Sequence, residues 1–292
     1  MRNRLFASLA MLGVTAVWGI TFVVVKDAIA KQSVTDFLTW RFGVATLVLI
    51  LIRPKSITLI NLRTLKRGVV LGGALGLGYL AQTFGLITTS AANSGFITGL
   101  FVVFTPIISG FLLRRHIGRW AWIASILATI GLGLISIQGW QINSGDALTV
   151  LCALAFALHI VGLGEWSSTE NSYALAIVQL ATVTLLSLLP ALRGGLEIPP
   201  DGSVWIALAI TALAATALAF VIQTWTQSIV SPMRTAVIMT MEPVFAGIAA
   251  VLIAHESLTW RTLIGGLLVL VAMYLVELGP KNSWQDVTHA NH

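Results

Sequence analysis

Apolar residues come in ten runs of about twenty, separated by short polar breaks. The runs are 5–25, 34–52, 68–88, 91–113, 118–138, 146–165, 172–192, 204–227, 232–254 and 259–278. About 20 consecutive apolar residues in a helix cross the hydrocarbon of a bilayer, so each run predicts one crossing. The fold expected is an all-α polytopic membrane protein of ten transmembrane helices. The breaks carry turn and charge signals, among them Arg53-Pro54-Lys55, Arg114-Arg115-His116, Pro199-Pro200-Asp201-Gly202 and His255-Glu256.

The rhythm of the runs repeats. Ser231 follows Ser90 by 141 positions, and the same offset aligns Val244 with Val103 and Phe245 with Phe104. It also lays 257–275 over 116–134, and the run after Asp146 over the run after Arg4. Few letters match, so the register rests on the spacing of the segments. Five crossings per unit is an odd number, which inverts the second copy in the membrane. The expected organisation is a first repeat at 1–140, an inverted second repeat at 141–279 and a polar cytoplasmic tail at 280–292. Many secondary transporters use inverted repeats as two interchangeable halves around a midplane site.

Composition agrees with lipid as the solvent. Of 292 residues, 57% are hydrophobic and 10% charged, where a soluble domain carries about 25% charged residues. Mean hydropathy is +0.92. The basic residues sit in loops and make no stripe, so no nucleic-acid partner is expected. A single cysteine, Cys152, inside an apolar run excludes a disulfide framework. The first run resembles a signal peptide, but it reaches Val25 and more runs follow, so it reads as a retained first helix.

Lys and Arg set the orientation. With the N-terminus inside, the cytoplasmic face holds Arg2, Arg4, Arg53, Lys55, Arg63, Lys66, Arg67, Arg114, Arg115, Arg119, Arg234 and Lys281. The far face holds Lys26, Lys31, Arg193 and Arg261. Both termini are therefore expected to be cytoplasmic. Trp40, Trp120, Trp122, Trp140, Trp166, Trp205, Trp225 and Trp260 fall near helix ends, where indoles anchor at the headgroups.

Trp18 is different: it lies about 20 Å into the first helix at 1.5 Å per residue. At the 141 offset its partner is His159. Polar side chains in hydrocarbon need a partner or a cavity. Glu242, Tyr79, Gln82, Thr98, Gln179 and Gln223 also lie within predicted helices. Each Gln or Thr can be explained by an interhelical hydrogen bond. Arg41, close to the outer end of the second helix, is expected to snorkel to that interface, and Glu242 is read as a structural carboxyl or a coupling charge. Pro106 and Pro243 lie in equivalent helices and free the carbonyls of Val102 and Met239, which predicts kinks or hinges facing the interior. Gly72, Gly73, Gly76 and Gly78 in the third helix suggest close helix packing rather than a dinucleotide loop.

Catalytic motifs are missing together. His255-Glu256 lacks the second histidine of a zinc site, because Thr259 stands there, and no phosphate-binding loop or nucleophile elbow occurs. Neither a metal nor a cofactor is expected.

Val17-Trp18-Gly19, Trp40-Arg41-Phe42, Thr89-Ser90-Ala91-Ala92-Asn93, Met241-Glu242-Pro243-Val244-Phe245 and His255-Glu256-Ser257-Leu258-Thr259 together resemble EamA-type carriers of the drug/metabolite transporter superfamily. The likeness covers about 5–278. His255 stands in place of the glycine in the family's Gly-Glu-x-Leu-Thr ending, and Arg115-His116 departs from the same pattern in the first half. The resemblance implies a non-enzymatic exporter of small metabolites in a bacterial inner membrane, with a cavity lined by helices 1, 3, 4, 6, 8 and 9. Carried over by position, it points to Trp18, Tyr79, Gln82, Thr98, Phe101, His159 and Gln223 as substrate contacts. It suggests amino acids with hydrophobic or aromatic side chains as cargo. The partners expected are that small molecule and the bilayer, with the chain a monomer or weak homodimer. Paired membrane-centre carboxylates are absent, so substrate-gradient flux and proton coupling stay open. An intramembrane lipid-modifying enzyme and a non-transporting receptor or scaffold are the alternatives.

Overall fold

The computed structural model describes residues 2–114, 119–138, 141–168, 171–230 and 238–278. Its helices are α1 (Arg2–Ile29), α2 (Val34–Ile52), α3 (Leu62–Gly85), α4 (Ala91–Thr98), α5 (Phe101–Leu112), α6 (Arg119–Ser136), α7 (Ser144–Trp166), α8 (Ser172–Gly194), α9 (Gly202–Ala209), α10 (Ala219–Ile229), α11 (Glu242–Leu252) and α12 (Trp260–Leu278). A π-helical stretch, Ile210–Leu218, joins α9 to α10, and a 3-10 turn, Pro54–Leu59, follows α2. The extended segments are a two-residue antiparallel pair, Ile137–Gln138 with Gln141–Ile142. Seven helical segments are long and apolar enough to cross a membrane, and three shorter apolar helices complete the ten spans. α4 with α5 forms the fourth span, and α9 through α10 the eighth.

Local chemistry fixes the helix starts. Ser33, Asn61, Ser90 and Asp201 each accept a hydrogen bond from the first-turn N–H of Asp36, Thr64, Asn93 or Val204, satisfying a donor that the helix itself leaves open. The lipid-facing surface is apolar: Leu47, Leu51, Ile126, Ile130, Leu189, Ile206, Leu213 and Leu267 all lie exposed. Such a surface is stable only against hydrocarbon.

The most extensive helix contacts join the two halves rather than neighbours within one. The first span packs on the eighth and ninth, the second on the seventh and eighth, and the third on the sixth and seventh. The fourth packs on the sixth and ninth, and the fifth on the tenth. Exchanging each span for its repeat mate reproduces this pattern, as a two-fold axis requires. The repeats therefore interleave, and they are not two side-by-side bundles of five.

Contacts between span ends agree with strict alternation across the membrane. On one face Lys31 pairs with Asp201 at 2.8 Å, Trp40 Nε1 donates to the Glu197 carbonyl at 2.8 Å, and Arg261 Nε donates to the Leu134 carbonyl at 3.1 Å. The Lys31 ammonium, then Ser203 and the Val204 N–H, hold the Asp201 carboxyl well below the usual range. Its link is therefore present above the ordinary carboxylate pKa and is lost as pH falls through the depressed one. On the opposite face Arg53 lies over the Tyr173 ring and Arg67 over Trp166.

Glycine permits the closest crossings. A Cβ on Gly72 would sit 2.7 Å from the Gln179 carbonyl oxygen, and one on Gly131 would sit 2.7 Å from the Gly265 carbonyl oxygen. Two non-glycine residues among those described have positive φ, Arg114 (52°) and His255 (53°). They are 141 residues apart, so the same left-handed turn ends the fourth and the ninth span. His255 is thus strained where the resemblance expects glycine. In the first half the matching residue is Arg114; Arg115 and His116 lie outside the described residues, as do Trp140, Arg234, Lys281 and the tail at 280–292.

Candidate functional site

A central cavity with an empty volume of about 570 Å³, including its open mouth, lies between the halves. Four pairs of its lining residues stand 141 positions apart. Trp18 and His159 line it from α1 and α7, Tyr79 and Phe220 from α3 and α10, and Gln82 and Gln223 from the same two helices. Phe101 opens α5 and its mate Glu242 opens α11, and both line the cavity. The cavity thus straddles the axis that relates the repeats.

Each side chain is held by a specific partner. Trp18 Nε1 donates to the Ala215 carbonyl at 2.8 Å, within the π-helical stretch. His159 Nε2 meets Gln179 Oε1 at 2.6 Å, while the Gln179 amide nitrogen donates to the Leu175 carbonyl at 3.1 Å. That leaves the Gln179 oxygen to accept, so Nε2 of His159 carries the proton. Gln82 Nε2 donates to Thr98 Oγ1 at 3.2 Å. Thr98 itself is not a lining residue; it stands behind Gln82 and positions it. Tyr79 sits among Phe42, Phe156 and Phe220, with ring centroids 4.8, 5.2 and 6.3 Å away.

Arg41 departs from expectation. It does not reach an outer interface; it is 2% exposed and lines the cavity. Its Nε donates to Thr216 Oγ1 at 2.9 Å, and its guanidinium carbon lies 4.8 Å from the Tyr79 ring centre and 5.3 Å from that of Phe42. The physical reason is the aromatic pair: the faces of Tyr79 and Phe42 attract a cation, and the hydroxyl of Thr216 gives it a neutral acceptor. The second span therefore joins the six that the resemblance implies.

The two prolines sit near helix interruptions but do not coincide with them. The fourth span breaks at Gly99-Leu100, and the ninth turns at Thr240-Met241 before α11 begins. These breaks are again 141 residues apart. Pro243 occupies the first turn of α11, where a missing N–H is harmless. It therefore starts a helix, and Glu242 opens that helix rather than lying deep within it. Pro243 is buried, and Gly99 faces its ring closely enough that a Cβ there would lie 3.0 Å from Cγ. Pro106 is inside α5 and half-buried. Met239, whose carbonyl Pro243 leaves without its usual helical partner, lines the cavity.

Phe220 is a lining residue that the sequence did not single out, and Met239 stood out there only for the carbonyl that Pro243 frees. The 141 offset from Tyr79 and Thr98 leads to both. Phe22, Phe156 and Ile160 also line the cavity, and no sequence signal separates them from ordinary core residues. No group of three or more potential metal ligands occurs among the described residues.

On the face that carries Lys31 and Asp201, Glu256 closes the α4 N-terminus. Its two oxygens accept from the Ala91 and Ala92 N–H groups at 2.9 and 3.2 Å, and Lys26 lies 4.0 Å away. Lys26 also donates to the Thr89 carbonyl at 2.7 Å. A carboxylate at a helix N-terminus is favourably placed, and here it ties together the ends of the first, fourth and ninth spans.

Ten apolar helices in interleaved repeats around an aromatic and polar cavity define a multi-pass membrane carrier. Comparison with known proteins narrows the class. The chain matches the EamA-like transporter family over residues 5–137 and again over 143–278, and it belongs to that family. An uncharacterized transporter of Archaeoglobus fulgidus is 34% identical over 277 residues, covering 94% of this chain and 87% of the relative. The uncharacterized transporter YyaM of Bacillus subtilis is 26% identical over 284 residues, covering 90% of each. A solved structure sharing 16% identity superposes with a TM-score of 0.68 over 93% of this chain and 97% of its own, which shows the fold. The family and its relatives point to a transporter and not an enzyme.

Proposed function

We propose that the protein exports small metabolites, amino acids with hydrophobic or aromatic side chains, across a bacterial inner membrane by alternating access. The repeats would be 1–140 and 141–279, with both termini in the cytoplasm, as the Lys and Arg distribution favours. The observation that carries this reading is the cavity itself, lined by four residue pairs from the two repeats and walled by aromatic rings around a few polar groups.

The interleaving changes what moves. Rocking of one five-helix repeat against the other would have to separate every one of the principal interhelical contacts. The packing favours two mixed units: spans 1, 8 and 9 on one side, and their mates 6, 3 and 4 on the other. The matched breaks in the fourth and ninth spans are the hinges of this motion, with Pro106 and Pro243 beside them. Trp18, Tyr79, Gln82, Phe101, His159 and Gln223 contact the cargo, and Thr98 holds Gln82 in place.

Counterflow of labelled phenylalanine or leucine in proteoliposomes tests the reading. Accelerated uptake by vesicles preloaded with the unlabelled amino acid is expected, and its absence across a panel of amino acids would refute it. Saturable binding with no movement would indicate a receptor. Sealed vesicles at equal pH on both faces separate flux down the substrate gradient from proton coupling.

A further inference from the structure

The cavity holds one cation and one carboxylate that do not pair. Among the described residues Arg41 is the one Lys or Arg that lines it, and Glu242 the one Asp or Glu. Among the described residues neither makes an ion pair, and Glu242 makes no hydrogen bond. Arg41 uses Nε on Thr216 and also interacts with the Tyr79 hydroxyl, both neutral partners, and no carboxylate among the described residues pairs with it. Gln223 is 2% exposed and its Oε1 is buried with no hydrogen-bond partner. Tyr79 lines the same cavity, with the Arg41 guanidinium carbon 4.8 Å from its ring centre.

A buried guanidinium is a fixed fork of donors that suits a carboxylate and holds its charge at any working pH. A buried charge without a counter-ion is costly, so a site that keeps one open is arranged for a ligand that brings the opposite charge. The acceptors lie elsewhere in the cavity, at Glu242 and Gln223 on the ninth and eighth spans. Together they are complementary to an ammonium, which donates hydrogen bonds and accepts none.

We propose that this cavity is a zwitterion site, in which Arg41 binds the carboxylate of the cargo and Glu242 with Gln223 binds its ammonium. The proposal rests on the amino-acid reading above and gives it a chemical definition: the cargo must carry both charges, with its apolar side chain against the aromatic wall. Arg41 comes from the second span, outside the helix set that the family resemblance implies for the cavity, so it is a specificity-determining residue that the resemblance leaves unassigned.

The test is competition against labelled phenylalanine counterflow in proteoliposomes, using phenylalanine methyl ester (cation only), 3-phenylpropionate (anion only) and unlabelled phenylalanine. In the wild type, phenylalanine is expected to compete about 10- to 100-fold better than either analogue, as the loss of one hydrogen-bonded charge implies. Arg41→Gln should bring phenylalanine down to the level of the ester, with Arg41→Lys in between. Glu242→Gln should bring it down to the level of 3-phenylpropionate. Purely structural damage would weaken all three competitors together and would not reorder them. Equal competition by the ester in the wild type, or an Arg41→Gln variant with unchanged preference, overturns the zwitterion site while leaving amino-acid transport standing. Should the wild type exchange no amino acid at all, the transport reading fails first and takes this inference with it. If Arg41→Gln does not assemble, the wild-type analogue ranking and Arg41→Lys still decide.

Discussion

Replacing Gly19 with valine is expected to abolish transport and lower thermal stability, whereas the same change at Gly13 should do neither. Gly19 is where α1 crosses α11. A Cβ there would lie 2.8 Å from the Ala246 nitrogen and 2.8 Å from the Glu242 carbonyl oxygen, both backbone atoms that no rotamer change can move. The crossing also carries Trp18, the next residue, and the start of α11, where Glu242 faces the cavity. Pushing the helices apart would move both lining groups and disturb the turn between Met239 and Glu242. Overpacking of this kind costs roughly 1–3 kcal/mol, and the misplacement of two site residues should remove flux at least about tenfold beyond that. Gly13 has nothing within 4 Å of its would-be Cβ, which makes it the control. Thermal melts in detergent and counterflow rates measure the two effects. A Gly19→Val protein with normal flux would show that the first and ninth spans do not need this contact.

Tyr79→Ala should be the most damaging single change within the cavity. The ring contacts Phe42, Phe156 and Phe220 and supports the Arg41 guanidinium. Aromatic-to-alanine changes cost roughly 3–5 kcal/mol in packed cores, and the cavity side of this ring already lacks neighbours, so about 2–3 kcal/mol is expected here. Arg41 would also lose the face it rests on, so apparent affinity for cargo should fall more than stability alone explains. Tyr79→Phe keeps every ring contact and should retain most function. Wild-type affinity in Tyr79→Ala would remove the aromatic cluster from the site.

The spans and their number are legible in the chain because a bilayer forces every crossing to be a long apolar helix. The second span runs Val34–Ile52, as the pattern predicts, and the seventh span, α8, starts at Ser172 and ends two residues beyond the predicted Leu192. The Trp18–His159 pairing is legible because the offset places two unusual residues at one depth. Other features have no linear signal. The π-helical stretch Ile210–Leu218 reads as ordinary small and apolar residues; in the fold its Ala215 carbonyl and Thr216 hydroxyl receive Trp18 and Arg41. Arg41 was misplaced because depth along one helix says nothing about the rings and hydroxyl that two other helices bring to it. The prolines suggested where backbone breaks would lie, but the breaks fall at Gly99-Leu100 and Thr240-Met241, set by the repeat and not by proline position. Interleaving was not legible at all, since a repeat in sequence does not say which helices of the two copies touch.

The most direct measurement uses single cysteines at positions 82 and 223, the Gln82–Gln223 pair, in a chain whose sole cysteine, buried Cys152, is replaced by serine. Membrane-impermeant thiol reagents would be applied from each face in turn, with and without cargo. Alternating access through the central cavity predicts reaction at both positions from both faces, slowed in each case by the cargo. Reaction from one face only, or rates that cargo leaves unchanged, would contradict it.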